Sequence, residues 1–396
     1  MGSPETSNDS SVDEGRGAYH PGGFHPVYVG DIFNNRYHVL NKIGYGAYST
    51  VWLVRDAQQE NGHEDEYLAL KVLSAECYFT DHDIFEREIL RHLRDGNTKL
   101  VGHSYICHLL DDFEHQGPNG THVCLVFPLM GETLKSFGAW FKNSLVPYSV
   151  MRRFTIQIVL ALAYAHELGV IHTGIYILQS SYLQERKPPT QNRKEPYYTS
   201  IPSESLRCHY FTEEDGTRLK EFNVALGDWG VASWKSKHLS ENIQPVGLRA
   251  PEVLIKAPWD TPTDWWNLGA VILEVYRAIR MFSGYTTDAS GETRYELRKH
   301  LAEIVDFFGP FPKSLLDKGD PQIVKDIFCE NGTVRGYPAK LNRPALASEE
   351  VMEGLEEEDR EEFASFLRLM MNIDPDRRPE PVDVLKHPWL DAWRGS

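Results

Sequence analysis

A lysine in the middle of an apolar run, Ala69-Leu70-Lys71-Val72, is the first residue whose placement asks for a reason. A charge there costs free energy unless a partner meets it. The helical stretch that follows offers Glu88, in Glu88-Ile89-Leu90, as that partner. Glu86, two residues away and pointing elsewhere on the helix, is the second choice. A strand lysine held by a helix glutamate presents a fixed positive charge that suits nucleotide phosphates. Upstream, Ile43-Gly44-Tyr45-Gly46-Ala47-Tyr48-Ser49-Thr50-Val51 reads as a strand, a Gly-rich turn and a second strand. Glycines let backbone amides come close to phosphate oxygens, although an ordinary hairpin turn would use the same residues.

The elements that must position these residues follow from periodicity. Between Arg36 and Val126 the short β-type runs YHVLNKIG, STVWLVRDA, YLALKVL and THVCLVF are interrupted by one helical stretch, DHDIFEREILRHLRD. After Gly131 the pattern turns mainly helical, with VMRRFTIQIVLALAYAHELG, TDWWNLGAVILEVYRAI, ELRKHLAEIVDFFG and REEFASFLRLMMNI. A small β-rich part followed by a larger helical one predicts an α+β chain of two lobes with a cleft between them. Residues 1–30 are rich in Gly, Ser, Pro and acids and read as a disordered tail, and the polar, Pro-interrupted stretch 183–222 reads as a partly flexible insertion.

Of 396 residues, 41% are apolar and 25% charged, which excludes collagen-like, coiled-coil and wholly disordered classes. No stretch reaches about 18 uncharged apolar residues, and Met1 to Asp31 lacks the basic start and apolar core of a secretory signal. Gly2 with Thr6 formally matches a myristoylation pattern, but no polybasic cluster supports it. The expectation is a soluble protein without membrane attachment, in cytoplasm or nucleus. Its five cysteines, Cys77, Cys107, Cys124, Cys208 and Cys329, form no CxxC pair and read as reduced thiols. Acidic residues outnumber basic ones 57 to 41, a net charge of −16 that favours basic partners over nucleic acid.

Taken in order, Gly44 to Val51, Lys71, Glu88, Asp228-Trp229-Gly230, Ala250-Pro251-Glu252, Asp264 to Gly269 and Arg377 resemble the eukaryotic protein kinase signature. The resemblance spans about residues 37–393, with an N-lobe over 37–130 and a C-lobe over 131–393. The segment Asp228 to Trp234 with His238, Glu241, Ile243 and Gln244 is similar to the serine/arginine-protein kinases, whose fungal members also carry an insertion ahead of that aspartate.

The resemblance implies ATP and Mg²⁺ as cofactors and a basic, Arg-Ser-rich protein as substrate or partner of a monomer. The turn through Gly44, Tyr45, Gly46, Ala47 and Ser49 would cover the triphosphate, and Ile43, Val51 and Ala69 would also belong to the nucleotide site. Lys71 would hold the α and β phosphates, oriented by Glu88. Asp228 would place the metal, with Gln179 as a second possible ligand. The adenine would hang on Phe127, Pro128 and Met130. Glu252 and Arg377 would form a structural ion pair, and Asp264 would brace the backbone near His172.

The catalytic loop departs from that pattern. It reads His172-Thr173-Gly174-Ile175-Tyr176-Ile177-Leu178-Gln179-Ser180-Ser181. Gly174 stands where an aspartate would orient and deprotonate the acceptor hydroxyl, and Tyr176 replaces the lysine that would meet the transferring phosphoryl group. Ser180 and Ser181 replace apolar residues that would underlie the adenine. Thr173 stands for an arginine, so phosphorylation at Ser233, Ser236 or Ser240 would lack its usual partner. Two readings stay open: a pseudokinase that binds without turnover, and an active Ser/Thr kinase relying on Lys71 and Asp228.

Overall fold

In the computed structural model the described residues are 14–59, 66–79, 84–133, 146–174, 176–180, 191, 193, 198, 200–203, 223–277, 280–287, 291–338, 340–341 and 344–390. The chain divides into two compact units. One comprises Met1–Asp95, Cys107–Glu132 and Leu178–Phe222; the other comprises Gly96–Ile106, Thr133–Ile177 and Asn223–Ser396.

The first unit is built on a six-stranded antiparallel sheet. Its strands are β1 (Ile32–Phe33), β2 (Tyr37–Gly46), β3 (Ser49–Asp56), β4 (Tyr67–Leu73), β5 (Asp111–Gly117) and β6 (Gly120–Pro128), in the order β1-β2-β3-β4-β6-β5. Helix α1 (Glu86–Arg94) lies between β4 and β5 in sequence. Strand side chains alternate between faces. One face therefore collects Tyr37, Val39, Trp52, Val54, Leu68, Leu70, Val72, Cys124 and Val126 into a single core, which Val27, Phe33 and Ile201 help to close.

That closure corrects the expected tail. From Glu14 onward the N-terminal residues are packed, with Phe24, His25 and Val27 buried; residues 1–13 lie outside the described ones. The backbone of this segment is stitched to the sheet through Ala75 N to Gly23 O (3.1 Å), Glu76 N to Gly22 O (2.8 Å) and Gly22 N to Asn119 O (2.7 Å). Of the insertion, residues 191, 193, 198 and 200–203 are described. Its described residues bind the N-terminal segment. Gln191 Oε1 accepts from Val29 N (2.8 Å), Tyr198 donates to Val27 O (2.7 Å), and Arg193 pairs with Asp31 (2.5 Å). Lys42, fully buried, lies between the same two segments, neutralised by Glu14 and donating to Ser200 Oγ at 3.2 Å. A buried ammonium without such partners would cost several kcal/mol, on the order of the desolvation of one ion.

The remaining elements, in chain order, are β7 (Met130–Thr133), α2 (Tyr148–Glu167), β8 (Val170–Ile171), β9 (Tyr176–Ser180), β10 (Val224–Gly227), β11 (Ser233–Trp234), α3 (Pro251–Leu254), α4 (Pro262–Arg277), β12 (Tyr285–Thr287), β13 (Thr293–Tyr295), α5 (Leu297–Phe308), α6 (Lys313–Leu316), α7 (Pro321–Ile327), α8 (Glu357–Met370) and α9 (Pro381–Leu385). The second unit is mainly helical, as the sequence predicts. α2 buries Phe154, Ile158, Leu162 and Ala165 at helical spacing. Its Gln157 side chain bonds both Asn223 Oδ1 (2.7 Å) and Val224 N (2.9 Å), which fixes the start of β10. No helix among the described residues is long and apolar enough to cross a membrane.

Candidate active site

In the β-rich unit the site is set by register. Gly44 pairs with Val51, Val51 with Lys71, and Lys71 with Leu125, so these residues form one row across four strands on the face opposite the packed core. Ala69 lies two residues earlier on that face, opposite Leu53 and Phe127. The β2–β3 connection is a two-residue turn, Ala47-Tyr48, flanked by the Gly46–Ser49 pair; Tyr45 to Tyr48 are exposed. Tyr48 O accepts from Ser74 N at 2.8 Å, which ties the turn to the end of β4. Pro128 closes β6, a position where its missing N–H is tolerated, and Met130 opens β7 after Leu129.

Lys71 Nζ meets Glu86 Oε1 at 2.7 Å, so the partner is Glu86 and not Glu88. The reason lies in the helix. α1 buries Glu86, Ile89, Leu90 and Leu93, an i, i+3, i+4, i+7 stripe of which Glu86 is the first member. Glu88 sits about 200° further round and is 39% exposed, bonded to Tyr78 Oη at 3.2 Å and Arg87 Nε at 3.3 Å. The stripe was readable in the sequence as a signal that sorts the two glutamates by face.

In the helical unit the catalytic-loop backbone is held from below by one carboxylate. Asp264, fully buried in the first turn of α4, accepts from His172 N (2.8 Å), Thr173 N (2.8 Å) and His166 Nε2 (2.9 Å). This is the brace that the sequence placed on Asp264. His172 Nε2 bonds Gly227 O at 2.9 Å, its ring meets Trp229 edge-on at 4.5 Å, and burial pushes its pKa down. Thr173 adopts φ 61°, left-handed and costly for a β-branched residue, and its hydroxyl donates to Val231 O at 2.5 Å. Asp228, exposed at the end of β10, also has a left-handed φ of 59°.

Gly174 is different. A Cβ built there would meet Val231 Cγ2 at 3.7 Å and Pro245 Cδ at 3.8 Å, ordinary contacts, and its φ is not left-handed. Neither backbone nor space demands glycine at this position. The side chains of Tyr176, Gln179 and Ser180, and all of Ile175 and Ser181, lie outside the described residues, so the suggested metal role of Gln179 falls there too.

The buried ion pair near the end of the chain also moves by one residue. Arg378, not Arg377, makes the bidentate pair with Glu252 at 2.6 and 2.7 Å, both side chains being fully buried. Arg378 also donates to Asn372 O (2.8 Å) and Pro262 O (2.9 Å). Arg377 is 74% exposed beside Asp374. Between Asp228 and Glu252 the chain is fastened without phosphate. The Gln244 amide donates to Thr263 O (3.0 Å) and accepts from Ala250 N (2.8 Å), and His238 stacks on Trp259 at 3.7 Å. Ser233 is buried with its hydroxyl bonded to Leu239 N.

Whether this set suits ATP and Mg²⁺ is a matter of donor chemistry. A strand lysine with a buried counter-ion and a glycine turn with exposed backbone in one unit, and an exposed carboxylate, Asp228, in the other, are donor types that suit phosphates and a magnesium ion. Among the described residues no cluster of three or more His, Cys, Asp or Glu is arranged to hold a metal by itself.

Comparison with known proteins agrees with this anatomy. Residues 37–175 and 214–390 match the protein kinase domain family. A serine/threonine protein kinase of Aspergillus fumigatus is 32% identical over 98% of this chain and 95% of its own length. The serine/threonine-protein kinase SRPK of Physarum polycephalum is 27% identical over 96% and 92%, and protein kinase dsk1 of Schizosaccharomyces pombe is 26% identical over 94% and 84%. The crystal structure of a kinase domain, 23% identical, covers 92% of this chain with a TM-score of 0.65, a likeness of fold. With register, brace and family match in agreement, the chain belongs to the protein kinase family, among the serine/threonine kinases similar to the serine/arginine-protein kinases.

Proposed function

We propose that this protein binds Mg·ATP and basic Arg-Ser-rich protein segments, and that its phosphotransfer is impaired because position 174 carries no carboxylate. The observation that carries the reading is Gly174 itself: a Cβ there would meet only ordinary contacts, so neither backbone nor crowding at Cβ calls for glycine. Bound ATP would supply the phosphoryl group. Lys71, neutralised by Glu86, would draw the α and β phosphates, and the glycine turn would offer backbone amides to them. Asp228 would take the metal. What the helical unit does not offer at residue 174 is a group to orient the acceptor hydroxyl and receive its proton. Losing such a group costs about 10²- to 10⁴-fold in rate. Support for an Arg-Ser-rich partner comes from the relatives named for SR-protein kinases and from the net charge of −16.

The competing reading, an active Ser/Thr kinase, draws on the Lys71–Glu86 pair and the Asp264 brace being in place. One assay separates the two: γ-phosphate transfer to an Arg-Ser peptide by the native chain, Gly174→Asp and Lys71→Ala. The expected result is background transfer by the native chain and a gain in Gly174→Asp. Native transfer that Lys71→Ala abolishes would overturn the impaired reading. Thermal stabilisation by Mg·ATP, about 2.7 kcal/mol at 100 times the dissociation constant, tests binding separately.

A further inference from the structure

Three imidazoles meet where the N-terminal segment lies on the β5–β6 hairpin. His115 and His122 face each other across the hairpin in direct register. The His25 ring lies against both, with centroids 4.6 Å from His115 and 5.0 Å from His122, and packs edge-on to Phe33 at 5.7 Å. His25 is 7% exposed and His122 fully buried. The fit is close enough that a Cβ on Gly117 would stand 2.2 Å from His25 Nδ1. Two ring nitrogens, His25 Nδ1 and His122 Nε2, are buried without a hydrogen-bond partner, while His122 Nδ1 bonds Leu73 O at 2.8 Å.

We propose that this cluster is an acid-sensitive fastener, which holds the N-terminal segment, residues 18–33, on the sheet at neutral pH and releases it on acidification. The physical reason is that the docked state has room for neutral rings only. The charged groups that act on His25 are His115 and His122, on His122 it is His115, and on His115 it is Asp31. Asp31 is already engaged by Arg193 and by Tyr28 N, so a first imidazolium would find mostly neutral rings and apolar surface, and a second would meet like charge. Burial holds the His25 pKa down to about 3, against 6.5 for a free imidazole, and lowers those of His115 and His122 as well. The released segment therefore binds more protons than the docked one between these limits. Docking is favoured above pH 6.5 and weakens as pH falls towards 3. For His25 alone, going from pH 7 to pH 5 multiplies the release constant by about 25, with the other two adding in the same direction.

The fastener is independent of catalysis, and its test reads backbone opening. Hydrogen exchange of the full chain is followed at pH 7 and pH 5, corrected for the intrinsic rate. The expected result is a rise of at least about 25-fold in the opening constant of amides in residues 18–33, with α2 amides unchanged, and a much smaller rise in His25→Phe, whose ring stays neutral. If His25→Phe does not fold, His25→Gln, whose side chain is likewise neutral at both pH values, serves the same purpose. A rise below threefold, an equal rise in the variant, or a parallel loss of protection in α2 would each overturn the proposal.

Discussion

Lys71 in the β-rich unit and Gly174 in the helical unit both stand at positions that the protein kinase signature singles out, yet their surroundings differ. Around Lys71 both the scaffold and the reacting group are present: the cross-strand row sets its position and Glu86 neutralises it. Around Gly174 only the scaffold is present. Asp264 still accepts from two consecutive loop amides, and His172 still bonds Gly227 O, but residue 174 has no side chain to act. The difference teaches that the bonds which shape a catalytic loop run through main-chain amides and buried partners. They are indifferent to the side chain at residue 174, so the loop's form is set whether or not that residue carries a carboxylate.

The largest effect should come from reversing that asymmetry. Gly174→Asp places a carboxylate where ordinary contacts await it, and transfer to an Arg-Ser peptide should rise by about 10²-fold or more, within the ~10²–10⁴ range that general-base or positioning help supplies. Unchanged transfer with intact Mg·ATP binding would mean that Tyr176 and Gln179 carry the deficit instead. Next in size is the helical unit's own anchor. Arg378→Ala leaves Glu252 buried and unpaired and should cost about 3–5 kcal/mol in urea unfolding, whereas Arg377→Ala, at an exposed side chain, should stay within about 0.5 kcal/mol. Equal costs for the two would contradict the assignment.

How much of this was legible follows from which residues are involved. Strand runs and helical stretches were readable because their periods of 2 and 3.6 are written in side-chain type, and Asp228, Asp264 and Lys71 stand out by motif. The errors fell on neighbours. Choosing between Glu86 and Glu88 required the buried stripe through Ile89, Leu90 and Leu93, whereas motif order alone favoured the wrong glutamate. Choosing between Arg377 and Arg378 depended on a short 3₁₀ turn, Pro375–Arg377, whose hydrogen bonds decide which arginine turns inward. The N-terminal residues looked disordered because few of them are apolar. Among those few, Val27 closes the sheet's core and Phe24 is buried, and composition averaged over thirty residues hides them.

The two glutamates offer a third way to sharpen the comparison. Glu86→Gln keeps the shape of the helix start but leaves Lys71 without its charged acceptor. Its expected cost is about 1.5–3 kcal/mol, the worth of a charge-assisted bond, with weaker Mg·ATP binding. Glu88→Gln, at a site 39% exposed, should change denaturant stability by less than about 0.5 kcal/mol and leave binding unaltered. A larger effect at Glu88 than at Glu86 would restore the motif-based assignment.

The smallest effect concerns Thr173, where two comparable quantities oppose each other. Its left-handed φ costs about 1–3 kcal/mol, and its hydroxyl bond to Val231 O returns about 0.5–1.5 kcal/mol. Thr173→Gly removes both and should shift stability by no more than about 1 kcal/mol. Thr173→Val keeps the strained backbone and the branch but loses the bond, and should be destabilised by about 0.5–1.5 kcal/mol relative to the native chain. If the valine variant proves as stable as the native chain, the hydroxyl contributes nothing to holding the loop.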